Sequence, residues 1–197
     1  MGSRWGSDDR PTAVSYDARW DELAAAGEDP HGEASFVATL APRTVLDAGC
    51  GTGRVGIELA RRGIGVVGVD LDGGFIEHAR AKAPGLEWHH ADLATVSLGR
   101  RFDVIVAAGN VMIFLAPGAE GDVLANLARH VEPHGCIVAG FQVRSDRLPL
   151  ERFDALAAAA GLSLSDRFAT WSADEFLGGE YAVSVLVPTE IDDLQSH

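Results

Sequence analysis

The stretch Val45-Leu46-Asp47-Ala48-Gly49-Cys50-Gly51-Thr52-Gly53-Arg54-Val55-Gly56 passes from a short apolar strand into a glycine turn and then into a helix. Glycine belongs where a chain reverses sharply and a ligand approaches the backbone closely. Two patterns overlap here. Gly51, Gly53 and Gly56 fit G-x-G-x-x-G, the dinucleotide fingerprint, with Asp70 about 20 residues on as a ribose-binding acid. Gly49, Gly51 and Gly53 instead fit G-x-G-x-G, preceded by the strand-end acid Asp47. A carboxylate beside the turn is a poor neighbour for a pyrophosphate and a suitable partner for an ammonium or sulfonium group. A short-chain dehydrogenase would also need Tyr-x-x-x-Lys. Tyr16 and Tyr181 stand four before Trp20 and Val185, and Lys82 is the only lysine. The second pattern fits better, with an NAD-dependent oxidoreductase as the alternative.

Outward from this turn, strand-like and helix-like segments alternate. Helices are expected over Tyr16–Ala26, stopped by Gly27, and over Gly32–Leu40 after Pro30. Val45–Asp47 is the first strand, followed by a helix over Arg54–Arg62 with Gly63 beyond its end. Val66–Asp70, Leu86–His90, Asp103–Ala108 and Cys136–Phe141 read as further strands. Helices are expected over Phe75–Ala83, along the apolar face Val123, Leu124, Leu127, Ala128 and Val131, and over Leu150–Ala160. Leu162–Ala169 and Tyr181–Val187 read as two closing strands with no helix between them, hence an antiparallel hairpin at one edge. Alternation of this kind predicts a doubly wound α/β fold with a mostly parallel sheet. Residues 1–197 form one domain in this reading: a helical cap over 13–41, a core over 44–187 and a flexible tail over 188–197.

The 197 residues are 47% hydrophobic and carry 16 basic against 29 acidic side chains, a net charge of −13. That balance repels phosphate backbones and anionic lipid, so no nucleic acid and no membrane surface are expected as partners. No apolar run approaches the roughly 20 residues that span a bilayer, and the first residues hold no secretory h-region. A cytoplasmic protein is expected, and the arginine-for-lysine bias suggests a bacterial source. Two cysteines, Cys50 and Cys136, are too few for a disulfide framework. In the inferred topology they are separated by the fourth strand and placed at opposite strand ends, so both should be free thiols.

Beyond the glycine turn, four further signatures follow in order: Gly68-Val69-Asp70-Leu71-Asp72, Ala91-Asp92-Leu93, Phe102-Asp103-Val104-Ile105-Val106 and Leu127-Ala128-Arg129-His130-Val131-Glu132-Pro133-His134-Gly135. In this order and spacing the chain resembles the class I S-adenosylmethionine-dependent methyltransferase family over about Val45–Val187. The resemblance implies a Rossmann-like methyltransferase fold, a seven-stranded sheet whose last strand is antiparallel. The implied cofactor is S-adenosyl-L-methionine, with S-adenosyl-L-homocysteine as product.

The resemblance also implies residue roles. Gly49, Gly51 and Gly53 lie against the methionine part of the cofactor, and Asp47 meets its amino group. Asp70 accepts from the ribose hydroxyls, and Leu71 packs on the adenine. Asp92 accepts from the adenine amino group, with Leu93 on the ring's other side. Ala108 and Gly109 offer carbonyls near the amino end. Asp72 reads as a plain helix cap. Arg54 either pairs with the cofactor carboxylate or sits solvated in a first helical turn. Tyr16 and Trp20, four apart on one helix face, either cover the cofactor or pack on the sheet edge.

Methyl transfer from a sulfonium chiefly requires an acceptor held in line in a dry pocket; a hydroxyl acceptor would add the need for a base. A small-molecule acceptor is expected, with oxygen as the receiving atom. The run Ala108-Gly109-Asn110-Val111-Met112-Ile113-Phe114-Leu115 lacks the Asn/Asp-Pro-Pro-Tyr of base and amide methyltransferases. Met112, Phe114 and Leu115 are candidate walls of an apolar acceptor pocket, Asn110 a candidate orienting group and His31 a candidate base. His89 and His90 point to opposite strand faces, so no metal site is expected. A non-catalytic nucleoside-binding module is a third reading. Acceptor identity and oligomeric state are not encoded in any motif.

Overall fold

The computed structural model describes residues 29–189 together with 12, 17, 18, 22, 25 and 27. Tyr16, Trp20 and the expected tail beyond 189 lie outside the described residues. Among those described, Asp17, Ala18, Glu22 and Ala25 are helical. The elements that follow are α1 (Gly32–Thr39), β1 (Thr44–Ala48), α2 (Arg54–Arg61), β2 (Gly65–Asp70), α3 (Gly73–Lys82), β3 (Glu87–His90) and β4 (Phe102–Ala107). Then come α4 (Val111–Phe114), α5 (Glu120–His130), β5 (Val131–Gln142), α6 (Leu150–Ala159), β6 (Leu162–Phe168) and β7 (Tyr181–Pro188).

The strands form one sheet in the order β3-β2-β1-β4-β5-β7-β6. The first five are mutually parallel, while β7 runs antiparallel to both β5 and β6 and lies between them. This is the expected doubly wound sheet with its antiparallel last strand. Side chains alternate across it with the two-residue period of a strand. Val45, Val104, Val106, Val138, Val183 and Val185 pack on Ala34, Phe36 and Val37 of α1 and on Val55 and Leu59 of α2. Leu46, Ile105, Ile137 and Leu186 face the other way, onto Val123, Leu124 and Leu127 of α5 and Phe153 of α6. Burial on both faces explains the near-continuous apolar strands, and each such side chain contributes about 1.5–3 kcal/mol. Among the described residues no helix is long and apolar enough to cross a membrane.

Most boundaries fall within a residue of expectation, and three larger differences have local reasons. α3 begins at Gly73 rather than Phe75, because the Asp72 side chain caps it by accepting from the Gly74 and Phe75 N–H groups at 2.9 and 3.2 Å. β5 begins at Val131, which pairs with Phe102 rather than extending the apolar face of α5. Between that pair and Val104↔Cys136 the register shifts, and Pro133, which has no N–H to donate, falls in the irregular stretch. Cys136 therefore lies inside β5 instead of opening it. Both cysteines are free thiols. The third difference is α4, a single turn entered through Asn110 in the left-handed region at φ 69°.

Candidate functional site

At the carboxyl end of β1 the glycine turn is held by its own amides. The N–H groups of Gly49 and Cys50 both donate to the Val69 carbonyl, at 2.8 and 3.0 Å. That of Gly51 donates to the Asp70 carboxylate at 2.7 Å, and that of Gly53 to the Cys50 carbonyl at 2.9 Å. Glycine is obligatory at two positions for steric reasons. A Cβ on Gly49 (φ 78°) would lie 2.3 Å from the Val111 side chain, and one on Gly53 (φ 84°) would lie 2.7 Å from the Trp88 ring.

The turn forms one wall of an open, largely apolar cleft. Asp70, from the end of β2, and Asp92, from the loop after β3, line it with Leu71 and Leu93. Both Asp70 oxygens are fixed, one by Gly51 and the other by the Asp72 N–H at 2.8 Å, and burial pushes its carboxyl above the usual range. Asp92 is exposed, and its Oδ1 accepts from the Ala94 N–H at 2.8 Å. Leu71, 50% exposed, presents an apolar side chain to the cleft. Ala108, Gly109, Val111, Phe114 and Leu115 also line the cleft.

A second, smaller hollow shares Gly49, Ala108 and Gly109 with the cleft. Asp47, Cys50, Arg54 and Val55 complete its lining. The Asp47 carboxylate is 2% exposed and accepts from the Gly56 N–H at 2.9 Å. Burial pushes its pKa up to about 7, against the opposing pull of that hydrogen bond and of Arg54. Arg54 corrects one expectation: it is not solvated. Its Nη1 and Nη2 donate to the two Glu33 oxygens at 2.8 and 2.5 Å, Nη1 also reaches the Pro30 carbonyl, and both side chains of the ion pair are 10% exposed.

The remaining candidates divide. Asn110 is engaged structurally: its Oδ1 accepts from the Gln142 N–H at 2.7 Å, tying the end of β4 to the end of β5. His31 stands at the N-cap of α1, lines neither hollow, and has a buried Nδ1 with no hydrogen-bond partner among the described residues. Phe114 and Leu115 line the cleft as expected of acceptor-pocket walls, but Met112 is 1% exposed and belongs to the core. The carboxylate of Asp17, in the N-terminal segment, accepts from the Thr52 hydroxyl of the turn at 2.5 Å. It also meets His78 and Lys82 of α3 at 3.0 and 2.8 Å.

Three participants had not been singled out in the sequence. Phe75 lines the cleft, Glu33 anchors Arg54, and Trp171 donates to the Tyr181 hydroxyl at 2.9 Å beside Phe36. A Cβ on Gly140 would fall 2.2 Å from Trp171, so the small residue beneath that ring was the available signal. Burial raises the Tyr181 hydroxyl to about 12.

The donor set discriminates between ligands. Pyrophosphate binding at a glycine turn needs free N–H groups at the following helix N-terminus. Here the amides of Gly49, Cys50, Gly51, Gly53 and Gly56 are already bonded, the last to a buried carboxylate. Two acids with acceptor capacity beside two leucines suit a nucleoside offering hydroxyl and amino donors, and Asp47 suits an ammonium group. The residues fit S-adenosylmethionine.

Comparison with known proteins agrees. Residues 45–135 match the family described as "Methyltransferase domain". The structure resembles a TehB-like SAM-dependent methyltransferase from Corynebacterium glutamicum, with a TM-score of 0.83 and 38% identity over 90% of this chain and 98% of that one. The magnesium-protoporphyrin O-methyltransferase of Rhodobacter capsulatus is 39% identical over 48% of this chain and 42% of its own length. A Streptomyces fradiae dTDP-3-amino-3,6-dideoxy-alpha-D-glucopyranose N,N-dimethyltransferase is 36% identical over 57% of this chain and 47% of its own. The chain thus spans about half the length of the curated relatives it matches. It belongs to the class I S-adenosylmethionine-dependent methyltransferase family.

Proposed function

We propose that the protein transfers a methyl group from S-adenosylmethionine to a small-molecule acceptor, with oxygen as the first receiving atom to test. One observation carries the reading. Asp70 and Asp92 line a cleft that opens from a glycine turn whose Gly49, Cys50, Gly51 and Gly53 amides are engaged. When bound, the cofactor supplies a methyl group already activated on a positively charged sulfur.

The chain's contribution is binding, orientation and exclusion of water. Asp70, held at both oxygens, is oriented to accept from vicinal hydroxyls; Asp92 accepts from the base; Leu71 and Leu93 pack on its faces. Asp47 and the Gly109 carbonyl receive the ammonium end in the smaller hollow. Arg54, bound to Glu33, forms a fixed ion pair at the edge of that hollow. Val111, Phe114 and Leu115 present an apolar wall to the acceptor. Fixing donor and acceptor in line supplies around 7–11 kcal/mol of barrier reduction. His31 is our first candidate base for a hydroxyl acceptor, and Tyr16 and Trp20 our candidates for covering the cofactor. We place the protein in the cytoplasm, with no nucleic-acid partner on account of its −13 charge.

An amine acceptor is the second reading, favoured by the sugar-amine N,N-dimethyltransferases among the relatives; an amine lone pair needs no base at the moment of attack. Calorimetry with S-adenosylhomocysteine and NAD tests the cofactor half: homocysteine-product binding without NAD binding is expected, and the reverse sinks the proposal. Transfer of labelled methyl to paired alcohol and amine acceptors then separates oxygen from nitrogen.

A further inference from the structure

The loop between β3 and β4 presents Asp92 and Leu93 to the cleft, and α5 grips it from behind. Asn126, 2% exposed, donates both Nδ2 hydrogens to that loop, to the Leu93 carbonyl at 2.8 Å and the Val96 carbonyl at 2.9 Å. Its Oδ1 accepts from Arg129 at 2.8 Å. One turn on, His130, 7% exposed, bonds through Nδ1 to the Asn126 carbonyl at 2.8 Å, and its Nε2 accepts the Leu98 N–H at 3.2 Å. The loop closes on itself as well, with the Thr95 and Val96 N–H groups donating to the Asp92 carbonyl at 3.1 and 2.8 Å.

A buried amide in an apolar helix face is costly unless its hydrogen bonds are made. Every bond Asn126 makes bears on this loop or fixes its own orientation. With Arg129 donating to the oxygen, the amide cannot exchange its oxygen and nitrogen ends. The Leu93 carbonyl is one residue from the acid that meets the base, so this peptide cannot shift without breaking a buried bond that water does not replace.

We infer that Asn126 is a positioning residue for base recognition: from outside the cleft it holds Asp92 and Leu93 at the spacing that selects adenine. The inference rests on the reading of Asp92 as the partner of the adenine amino group. His130 supports the far end of the loop, and Arg129 locks the amide.

The test compares affinities for S-adenosylhomocysteine and S-inosylhomocysteine, which carries a 6-oxo group in place of the 6-amino group, by calorimetry. The wild-type protein should prefer the adenosyl compound by about tenfold or more, the scale of a hydrogen bond to a charged acceptor. Asn126→Ala should bring that ratio towards parity. General loosening of the fold would lower both affinities alike and leave the ratio unmoved. Arg129→Ala, on an exposed side chain, should narrow the ratio part of the way, and it decides the question if Asn126→Ala does not fold. Asp92→Asn should shift preference towards the inosyl compound, since the new amide can donate to the 6-oxo group. If Asp92→Asn behaves so and both α5 variants keep the wild-type ratio, the positioning role is overturned. If Asp92→Asn leaves the ratio unchanged, the base-contact reading beneath it is what fails.

Discussion

Asp47→Asn tests the chemistry of the smaller hollow most directly. Asp47 is 2% exposed, and its pKa is raised from an ordinary 3.8 to about 7. The unliganded folded protein therefore binds a proton that the unfolded chain has released, and stability must fall as pH rises across the window from about 4 to 7. Each pH unit of difference corresponds to about 1.4 kcal/mol, so roughly three units set an upper value of about 4 kcal/mol. Local relaxation around the carboxylate lowers that, and about 2–4 kcal/mol is expected. An asparagine at this position still accepts the Gly56 N–H through its oxygen and carries no charge. Urea unfolding at pH 4 should give similar stabilities for wild type and variant. At pH 8 the variant should be the more stable by about 2–4 kcal/mol. Other titrating groups act in both proteins and cancel in the difference. Cofactor-product affinity should move the opposite way: in the wild type it rises with pH through 7, as Asp47 ionises to meet the ammonium group, and in the variant it is weak and flat. Parallel stability curves across pH 4–8 would show that Asp47 is not a buried, reluctant acid and would refute the reasoning.

Other perturbations follow from the same geometry. Asp70→Ala should weaken S-adenosylhomocysteine binding at least about tenfold, the scale of a charge-assisted hydrogen bond; unchanged affinity by calorimetry removes the ribose role. Gly49→Ala drives a Cβ to 2.3 Å from Val111 at φ 78° and should cost about 1–3 kcal/mol from crowding, part of which Val111→Ala restores. An unmoved urea midpoint in the single variant contradicts this. Glu33→Gln leaves the Arg54 charge, on a side chain 10% exposed, without its carboxylate, and should destabilise by about 3–5 kcal/mol. A loss under 1 kcal/mol would mean that water reaches the pair.

What could be read from the chain was local. The G-x-G-x-G turn, the strand-end acids Asp47 and Asp70, and Asp72 as a cap are each written within a few residues, because turn chemistry and capping depend on nearest neighbours. The alternation of apolar segments was enough for a doubly wound sheet with a closing antiparallel hairpin. The short helix α4 left no such trace, being a single turn entered through a left-handed Asn110. The irregular start of β5 was hidden because Val131 fits the apolar face of the preceding helix and Pro133 interrupts the strand pattern.

The sequence by itself determined the fold class and singled out the acids that line the two hollows. Tertiary structure decided what those residues can do. Glu33 claims Arg54 from 21 positions away, and Asn126 grips the Asp92 loop from 33 and 30 positions away. Neither separation carries a periodic signal. The placement of β7 between β5 and β6 brings Tyr181 and Trp171 to the end of the sheet that holds the site. The rise of the Asp47 carboxyl to about 7 comes from burial, a property of everything packed around it. Local rules choose elements; proton affinities and ion-pair partners depend on distances in space, which exist only once the elements have docked.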